Sequence, residues 1–272
     1  MKHRSFLVII LVLACLSCRR KAEVPAEEYV IMVSLDGFRW DYPRLYSTPE
    51  LWEMAENGSC AERMIPSFPT KTFPNHYTIA TGLYPDHHGI INNSFYATDL
   101  EGVYRIGDRS MVMDPGAYFG EPIWVTAEKQ GLTTASYYWV GSEAPIEGIH
   151  PTYWKKYDGS IPYEERVGQV ISWLKLPKRK RPSLITLYFD QPDGVGHDYG
   201  PEHPETGKVV SYLDRIIGQL REEIDRLEIG DRVNLIVLSD HGMGEISPEK
   251  YINLRDHLPE YWMDHILSLI HI

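Results

Sequence analysis

Tyr29-Val30-Ile31-Met32-Val33-Ser34-Leu35-Asp36-Gly37 is an almost unbroken apolar run that ends in an acid and a glycine. A short run of this kind, rich in Val and Ile, is a strand buried on both faces, as in the interior of a parallel sheet. The pattern returns at Leu184 to Phe189, followed by Asp190, and at Asn234 to Ser239, followed by Asp240-His241-Gly242. The β-branched and aromatic stretch Thr133 to Val140 predicts a further strand. Helical spacing fills the intervals. Ser47 or Thr48 is placed to cap a helix with Pro49 in its first turn, running to Gly58. Thr72 to Thr81 predicts a helix stopped by Gly82 and Pro85, and Pro122 to Lys129 another that ends at Gly131. Ile161 to Leu174 and Glu205 to Leu227 complete the set; the last puts Val209, Tyr212, Leu213, Ile216, Ile217, Leu220 and Ile224 on one face. Strands alternating with helices predict an α/β fold, a doubly wound, mostly parallel sheet with helices on both faces. Asn92 to Pro122, rich in Gly, Asp and Tyr and without a period, is expected to be a long surface excursion with room for short strands.

The 272 residues carry 43% apolar side chains and a net charge of −11. That acidic balance argues against wrapping nucleic acid, which needs a basic track. It leaves small phosphorylated substrates open, because bound metal ions reverse the local field. At the N-terminus Lys2, His3 and Arg4 precede an apolar run from Phe6 to Ala14 that is too short to span a bilayer, so residues 1–18 read as a signal peptide. Cys18 after Ser17, or Cys15 after Ala14, resembles a bacterial lipobox; Cys18 gives the apolar stretch its more usual length. A plain secretory signal is the other reading. The expectation is an exported protein of the bacterial cell envelope, touching the membrane only through that lipid anchor, with no protein partner predicted. Residues 19–28 are expected to be a tether and 29–266 the domain. Cys60, left without a disulfide partner, is expected to be a small buried thiol. Residues 267–272 are expected to be a non-native tail, and the domain to be incomplete at its C-terminal end.

Three strands thus end in Asp36, in Asp190 with Asp193 and His197 shortly after, and in Asp240-His241. In a parallel sheet these ends share one edge. Carboxylates crowded there raise one another's pKa unless a cation neutralises them. Asp and His together suit Zn²⁺, whereas an all-oxygen set suits Mg²⁺. Thr72, in Pro69-Thr70-Lys71-Thr72-Phe73-Pro74-Asn75, sits at a predicted helix start, where N–H groups and the dipole favour negative charge and could help hold phosphoryl oxygens. A metal ion on its Oγ would make it a nucleophile near neutral pH. Taken alone, Thr72 reads first as a helix cap.

Asp36-Gly37, Lys71-Thr72-Phe73-Pro74-Asn75-His76, Thr81-Gly82-Leu83-Tyr84-Pro85, His88-Gly89-Ile90, Pro192-Asp193 with Gly196-His197, and Ser239-Asp240-His241-Gly242-Met243 resemble, in order, the nucleotide pyrophosphatase/phosphodiesterase family of the alkaline phosphatase superfamily. The resemblance runs from about Tyr29 to Arg255. It implies an alkaline phosphatase-like fold and two divalent metal ions, Zn²⁺ by preference. It implies Asp36, Thr72, Asp240 and His241 as ligands of one ion, and Asp193 and His197 as two of three ligands of the other. Asn93 would hydrogen-bond a phosphoryl oxygen. Thr72 would attack phosphorus of a small phosphorylated substrate, and water activated at the second ion would release the phospho-threonine. The family's third ligand to that second ion is a later histidine. His257 and His265 come too early and His271 lies in the suspect tail, so weak binding there and poor turnover are expected of this chain.

The remaining candidates carry more ordinary expectations. His76, His87 and His88 are expected to be structural, Asp190 to orient a ligand, and Asp86 and Asp198 to be loop charges. Lys71 either meets a phosphoryl oxygen or is simply exposed. Tyr153, Trp154 and Tyr157 either stack a base or belong to the core. Phe95 and Tyr96 are expected to line the leaving-group pocket. The functional alternatives are a related hydrolase of choline phosphodiesters, phosphonates or phosphomonoesters, and a lipoprotein that binds phosphorylated ligands without catalysis. A sulfatase would need Cys or Ser where Thr72 stands.

Overall fold

The computed structural model describes residues 28–247, 249 and 252–263. The expected signal peptide, both lipobox cysteines, residues 19–27 of the tether and the tail 267–272 lie outside the described residues. In chain order the elements are β1 (Tyr29–Leu35), α1 (Tyr42–Leu45), α2 (Pro49–Asn57), α3 (Thr72–Thr81), α4 (Pro85–His88), β2 (Ser94–Ala97), β3 (Gly102–Arg105), α5 (Arg109–Val112), α6 (Ile123–Lys129), β4 (Thr134–Tyr137), β5 (Tyr153–Lys155), α7 (Tyr163–Leu174), β6 (Leu184–Phe189), α8 (Asp193–Tyr199), α9 (Pro204–Asp225), β7 (Val233–Leu238) and α10 (Glu260–Met263).

Five strands form one sheet in the order β5-β4-β6-β1-β7, and every pairing is parallel. The alternation of side chains along β1 divides the core in two. Tyr29, Ile31, Val33 and Leu35 face one layer, with Val167, Val170 and Ile171 of α7 and Val210, Leu213, Ile217 and Leu220 of α9. Met32, of the opposite parity, joins Tyr77 and Ala80 of α3, Trp124 and Val125 of α6, and Trp139. Helices on both faces of a parallel sheet are the expected architecture. Because β6, β1 and β7 are neighbours, Asp36, Asp190 and Asp240 emerge at adjacent strand ends.

Four local expectations are corrected. Residues 92–122 hold the short strands allowed for them and expose many side chains, but they also carry part of the core rather than lying wholly on the surface. The hairpin β2–β3 pairs Phe95 with Tyr104, whose rings stack at 5.0 Å, and Val112, Ala117 and Tyr118 are buried with them. The Asp residues that suggested loops are turn formers: Asp108 caps α5, and Asp114 accepts from Gly116 N–H. Cys60 is exposed, because it lies in a loop where residues 58–64 are all exposed. Thr48 precedes α2 but its hydroxyl donates to the Pro43 carbonyl, and Asp214 of α9 accepts from Glu50 N–H and Leu51 N–H in its place. The strand at 134 stops at Tyr137, since Tyr138 takes φ +74°.

Candidate active site

Thr72 is the first residue of α3, and Lys71 precedes it in extended conformation. Asn75 fixes that start. Its side chain accepts from Ser67 N–H and donates to the carbonyls of Pro69 and Lys71. At the other end Gly82 closes the helix with φ +70°. Of the amides that open α3, that of Phe73 donates to Asn93 Oδ1 at 3.0 Å and Pro74 has none. The helix start therefore offers little beyond Thr72 N–H to a phosphoryl group. The Asn93 carbonyl is fixed by that bond, and its amide N–H groups are left as donors beside the threonine.

The ends of β1 and β7 supply the rest. Thr72 Oγ lies 3.4 Å from Asp36 Oδ1 and 3.5 Å from His241 Nε2. His241 Nε2 in turn lies 3.3 Å from Asp36 Oδ1 and 3.3 Å from Asp240 Oδ2. One donor atom each from Asp36, Asp240 and His241 falls within 4.8 Å of the others. This is the set that the resemblance implied for the first ion, and the residues fit a cation. Asp240 Oδ2 is buried without a hydrogen-bond partner, an expensive arrangement unless something positive completes it. Burial pushes the Asp36 carboxyl well up, and the charges of Asp240 and Asp193 push it further. Burial also works against the Asp240 carboxylate, yet His76, His241 and the Gly37 N–H together hold it below the usual range.

Asp193 and His197, one turn apart on α8, put Oδ1 and Nε2 at 3.5 Å. Asp193 N–H donates to the Asp36 carbonyl at 3.0 Å, which joins the pair to the first cluster. Gly37 makes room for this: it takes φ +68°, and a Cβ there would stand 3.0 Å from Asp193. Asp193 Oδ1 is also buried without a hydrogen-bond partner, and burial raises its carboxyl. Among the described residues Asp193 and His197 belong to no set of three metal donors. His257 is exposed, and His265 and His271 lie outside the described residues.

The other candidates separate clearly. His76 is fully buried and its ring nitrogens reach the Thr72 carbonyl and Ser34 Oγ, both at 2.8 Å. It is a satisfied histidine, yet it stands 3.3 Å behind Asp240 Oδ2. His88 bonds Thr78 Oγ1, while His87 is paired with Asp86 at the surface. Among the described residues Asp190 pairs with the buried Arg166 rather than with a candidate ligand. Lys71 is half-buried and its charge acts to lower Asp193. Phe95 is core, against expectation, whereas Tyr96 is exposed. Trp154 stacks on His150 and Tyr153 on Trp173. Only Tyr157 of that aromatic group approaches the site, with its ring near Tyr138 and Tyr188. Tyr188 escaped the sequence reading. Its hydroxyl donates to Asp36 Oδ2 at 2.6 Å, and an aromatic residue within an apolar strand gives no sign of that.

Residues 30–269 match the family model described as type I phosphodiesterase / nucleotide pyrophosphatase. Ectonucleotide pyrophosphatase/phosphodiesterase family member 1 of Homo sapiens is 43% identical over 230 residues, 84% of this chain and 25% of that protein. Venom phosphodiesterase CdcPDE of Crotalus durissus collilineatus is 46% identical over 223 residues, 81% of this chain and 27% of that one. The solved structure of murine ectonucleotide pyrophosphatase/phosphodiesterase 5, an inactive threonine-to-alanine variant in complex with AMP, superposes with a TM-score of 0.80 at 35% identity. It covers 86% of this chain, which covers 62% of that one. The chain thus spans about a quarter of the length of these curated relatives. With its motifs in order on a shared fold, the chain belongs to the type I phosphodiesterase / nucleotide pyrophosphatase family.

Proposed function

We propose that this protein hydrolyses phosphodiester or pyrophosphate bonds of nucleotides or related diesters, with Thr72 as nucleophile. The observation that carries the proposal is the convergence of Asp36, Asp240 and His241, from two strand ends, on the Thr72 hydroxyl. Asp36, Asp240 and His241 would hold one divalent cation with Thr72, and Asp193 and His197 would contribute to a second; the mixed oxygen and nitrogen donors favour Zn²⁺. Such ions would lower the pKa of the threonine hydroxyl and neutralise charge on the phosphoryl oxygens.

The chain's own residues do the positioning. Asn75 and His76 hold the first turn of α3, so that Thr72 Oγ attacks from a fixed place. The Thr72 Oγ–P bond forms as the bond from phosphorus to the leaving oxygen breaks. Asn93 donates to a phosphoryl oxygen where charge develops. Water then cleaves the phospho-threonine and regenerates the hydroxyl. AMP in the murine relative supports a nucleoside monophosphate as the group retained. Tyr157, partly exposed beside Tyr188, would lie against a base.

The test is to incubate the chain with Zn²⁺ and an aryl nucleotide diester, then to map the phosphoryl adduct by mass spectrometry. Release of the aryl alcohol with an adduct on Thr72, and neither with Thr72→Ala, is the expected result. Undiminished release by Thr72→Ala, or faster cleavage of a monoester, would overturn the proposal. Export and anchoring at Cys18, or at Cys15, are proposed on the basic start and short apolar run. Metabolic labelling with a fatty acid checks this: label lost on substituting either cysteine supports it, and no label in the parent contradicts it.

A further inference from the structure

Each residue that converges on Thr72 has two atoms able to take a cation, and in each one of the two is already engaged. Asp36 Oδ2 accepts from the Tyr188 hydroxyl at 2.6 Å, and Oδ1 faces Thr72 and His241. Asp240 Oδ1 accepts from Gly37 N–H at 3.1 Å, and Oδ2 is buried without a hydrogen-bond partner. His241 Nδ1 lies 2.8 Å from the Gly242 carbonyl, which can only accept; Nδ1 therefore carries the proton, and Nε2 presents its lone pair. The site offers one donor atom from each of Asp36, Asp240 and His241, and the Thr72 hydroxyl adds a fourth. A small set of mixed oxygen and nitrogen donors suits Zn²⁺. Ca²⁺ takes about six to eight oxygens and often uses both atoms of a carboxylate.

Two of these restraints come from the main chain, at Gly37 N–H and the Gly242 carbonyl. The third is a side chain, and it is held firmly. Tyr188 lies in β6 beside Ser34 of β1, and its ring packs edge-on to His76 at 5.1 Å. Its carbonyl accepts from the buried Arg166 at 3.1 Å, and Arg166 also grips Asp190. The hydroxyl cannot swing away from Asp36 without disturbing that packing.

We infer that Tyr188 is a positioning residue for cation choice: by occupying Asp36 Oδ2, its hydroxyl confines that carboxylate to one-oxygen coordination and sets the site for Zn²⁺ against Ca²⁺. This rests on the proposed reading of the cluster as a metal site. It adds that selection there is made by a hydroxyl that never touches the ion.

The experiment compares the chain with Tyr188→Phe, both in a His197→Ala background so that the second pair does not contribute. Zn²⁺ and Ca²⁺ affinities are measured by competition with chromophoric chelators, and folding is checked by circular dichroism. Tyr188→Phe is expected to weaken Zn²⁺ binding by about tenfold. Ca²⁺ binding should stay level or tighten, so that the Zn²⁺/Ca²⁺ ratio falls by that factor or more. A ratio unchanged within twofold, or equal weakening for both ions, assigns Tyr188 a merely structural part and overturns the inference. Should Tyr188→Phe fail to fold, the infrared difference spectrum of the Zn²⁺-loaded parent decides. A wide separation of the carboxylate stretching bands supports one-oxygen coordination, and a narrow one overturns it. No Zn²⁺ binding by the parent chain would remove the metal site itself, a different failure from an unchanged ratio.

Discussion

Asn93 shows how much one amide can be asked to do. Its Oδ1 is spent on Phe73 N–H, so on the proposed mechanism its remaining N–H groups would serve as donors where phosphoryl charge develops. Asn93→Ala is expected to lower kcat about 10²–10³-fold, the usual effect of losing such a donor. KM should change far less, and steady-state kinetics on a diester would check the split. A second prediction concerns Gly37. Gly37→Ala brings a Cβ to 3.0 Å from Asp193 at a φ of +68°, so Asp193, proposed as a ligand with His197, must shift. Zn²⁺ affinity measured by chelator competition should fall, and affinity equal to the parent's would show that the loop absorbs the change. The acids and histidines of the site were readable because each follows an apolar run that predicts a buried strand. Tyr188 was not, since nothing in Leu184 to Phe189 distinguishes a tyrosine that donates to a carboxylate from one that packs. Asp190 misled for the opposite reason. It occupies a strand end like the candidate ligands, but a buried arginine from α7 claims it.

The start of α2 shows why helix caps are hard to read locally. Sequence places Ser47 or Thr48 at the cap, but the donors there are met by Asp214, which lies 164 residues from Glu50. Asp214→Ala is expected to cost about 1–2 kcal/mol of stability, as the loss of a capping side chain does. Thr48→Ala should cost less, because its hydroxyl only donates to Pro43 O at 3.3 Å. Urea denaturation would rank the two, and the reverse order would contradict this assignment. The hairpin β2–β3 was hidden for a similar reason. Its strands have four residues each, too short to show a period, and they become strands because Phe95 and Tyr104 pair against α3 and α6. Helices α3 and α9 and strands β1 and β6 were placed closely, since each carries a long apolar pattern or a clear stop. The short helices α1, α4 and α8 have no such length, and α8 in particular brings His197 back toward Asp193.

Across the whole domain, the two core layers meet at the sheet, and the proposed centre sits at its edge among β6, β1, β7 and α3. His88 links the second layer to pH. Its Nδ1 accepts from Ile90 N–H and its ring is buried, which pushes its pKa from 6.5 down to about 4. The unfolded chain takes up this proton more readily, so the stabilisation is complete above about pH 6.5 and is lost as pH falls toward about 4. Melting temperature followed over that range should decline on acidification, and His88→Gln should flatten the decline. Cation binding should also stabilise the fold. At a hundredfold excess over Kd the gain is about 2.7 kcal/mol, which corresponds to roughly 5–10 °C in Tm for a domain of this size. The doubly wound α/β plan followed from the order of strands and helices, while the contacts that bring Thr72 to Asp36 and His241 depend on packing between distant segments. The most direct measurement is an anomalous difference map from crystals of the chain grown with Zn²⁺. The arrangement described predicts a peak within coordination reach of Asp36 Oδ1, Asp240 Oδ2, His241 Nε2 and Thr72 Oγ. Zinc found only elsewhere, or a Thr72 hydroxyl turned away from the ion, would contradict it.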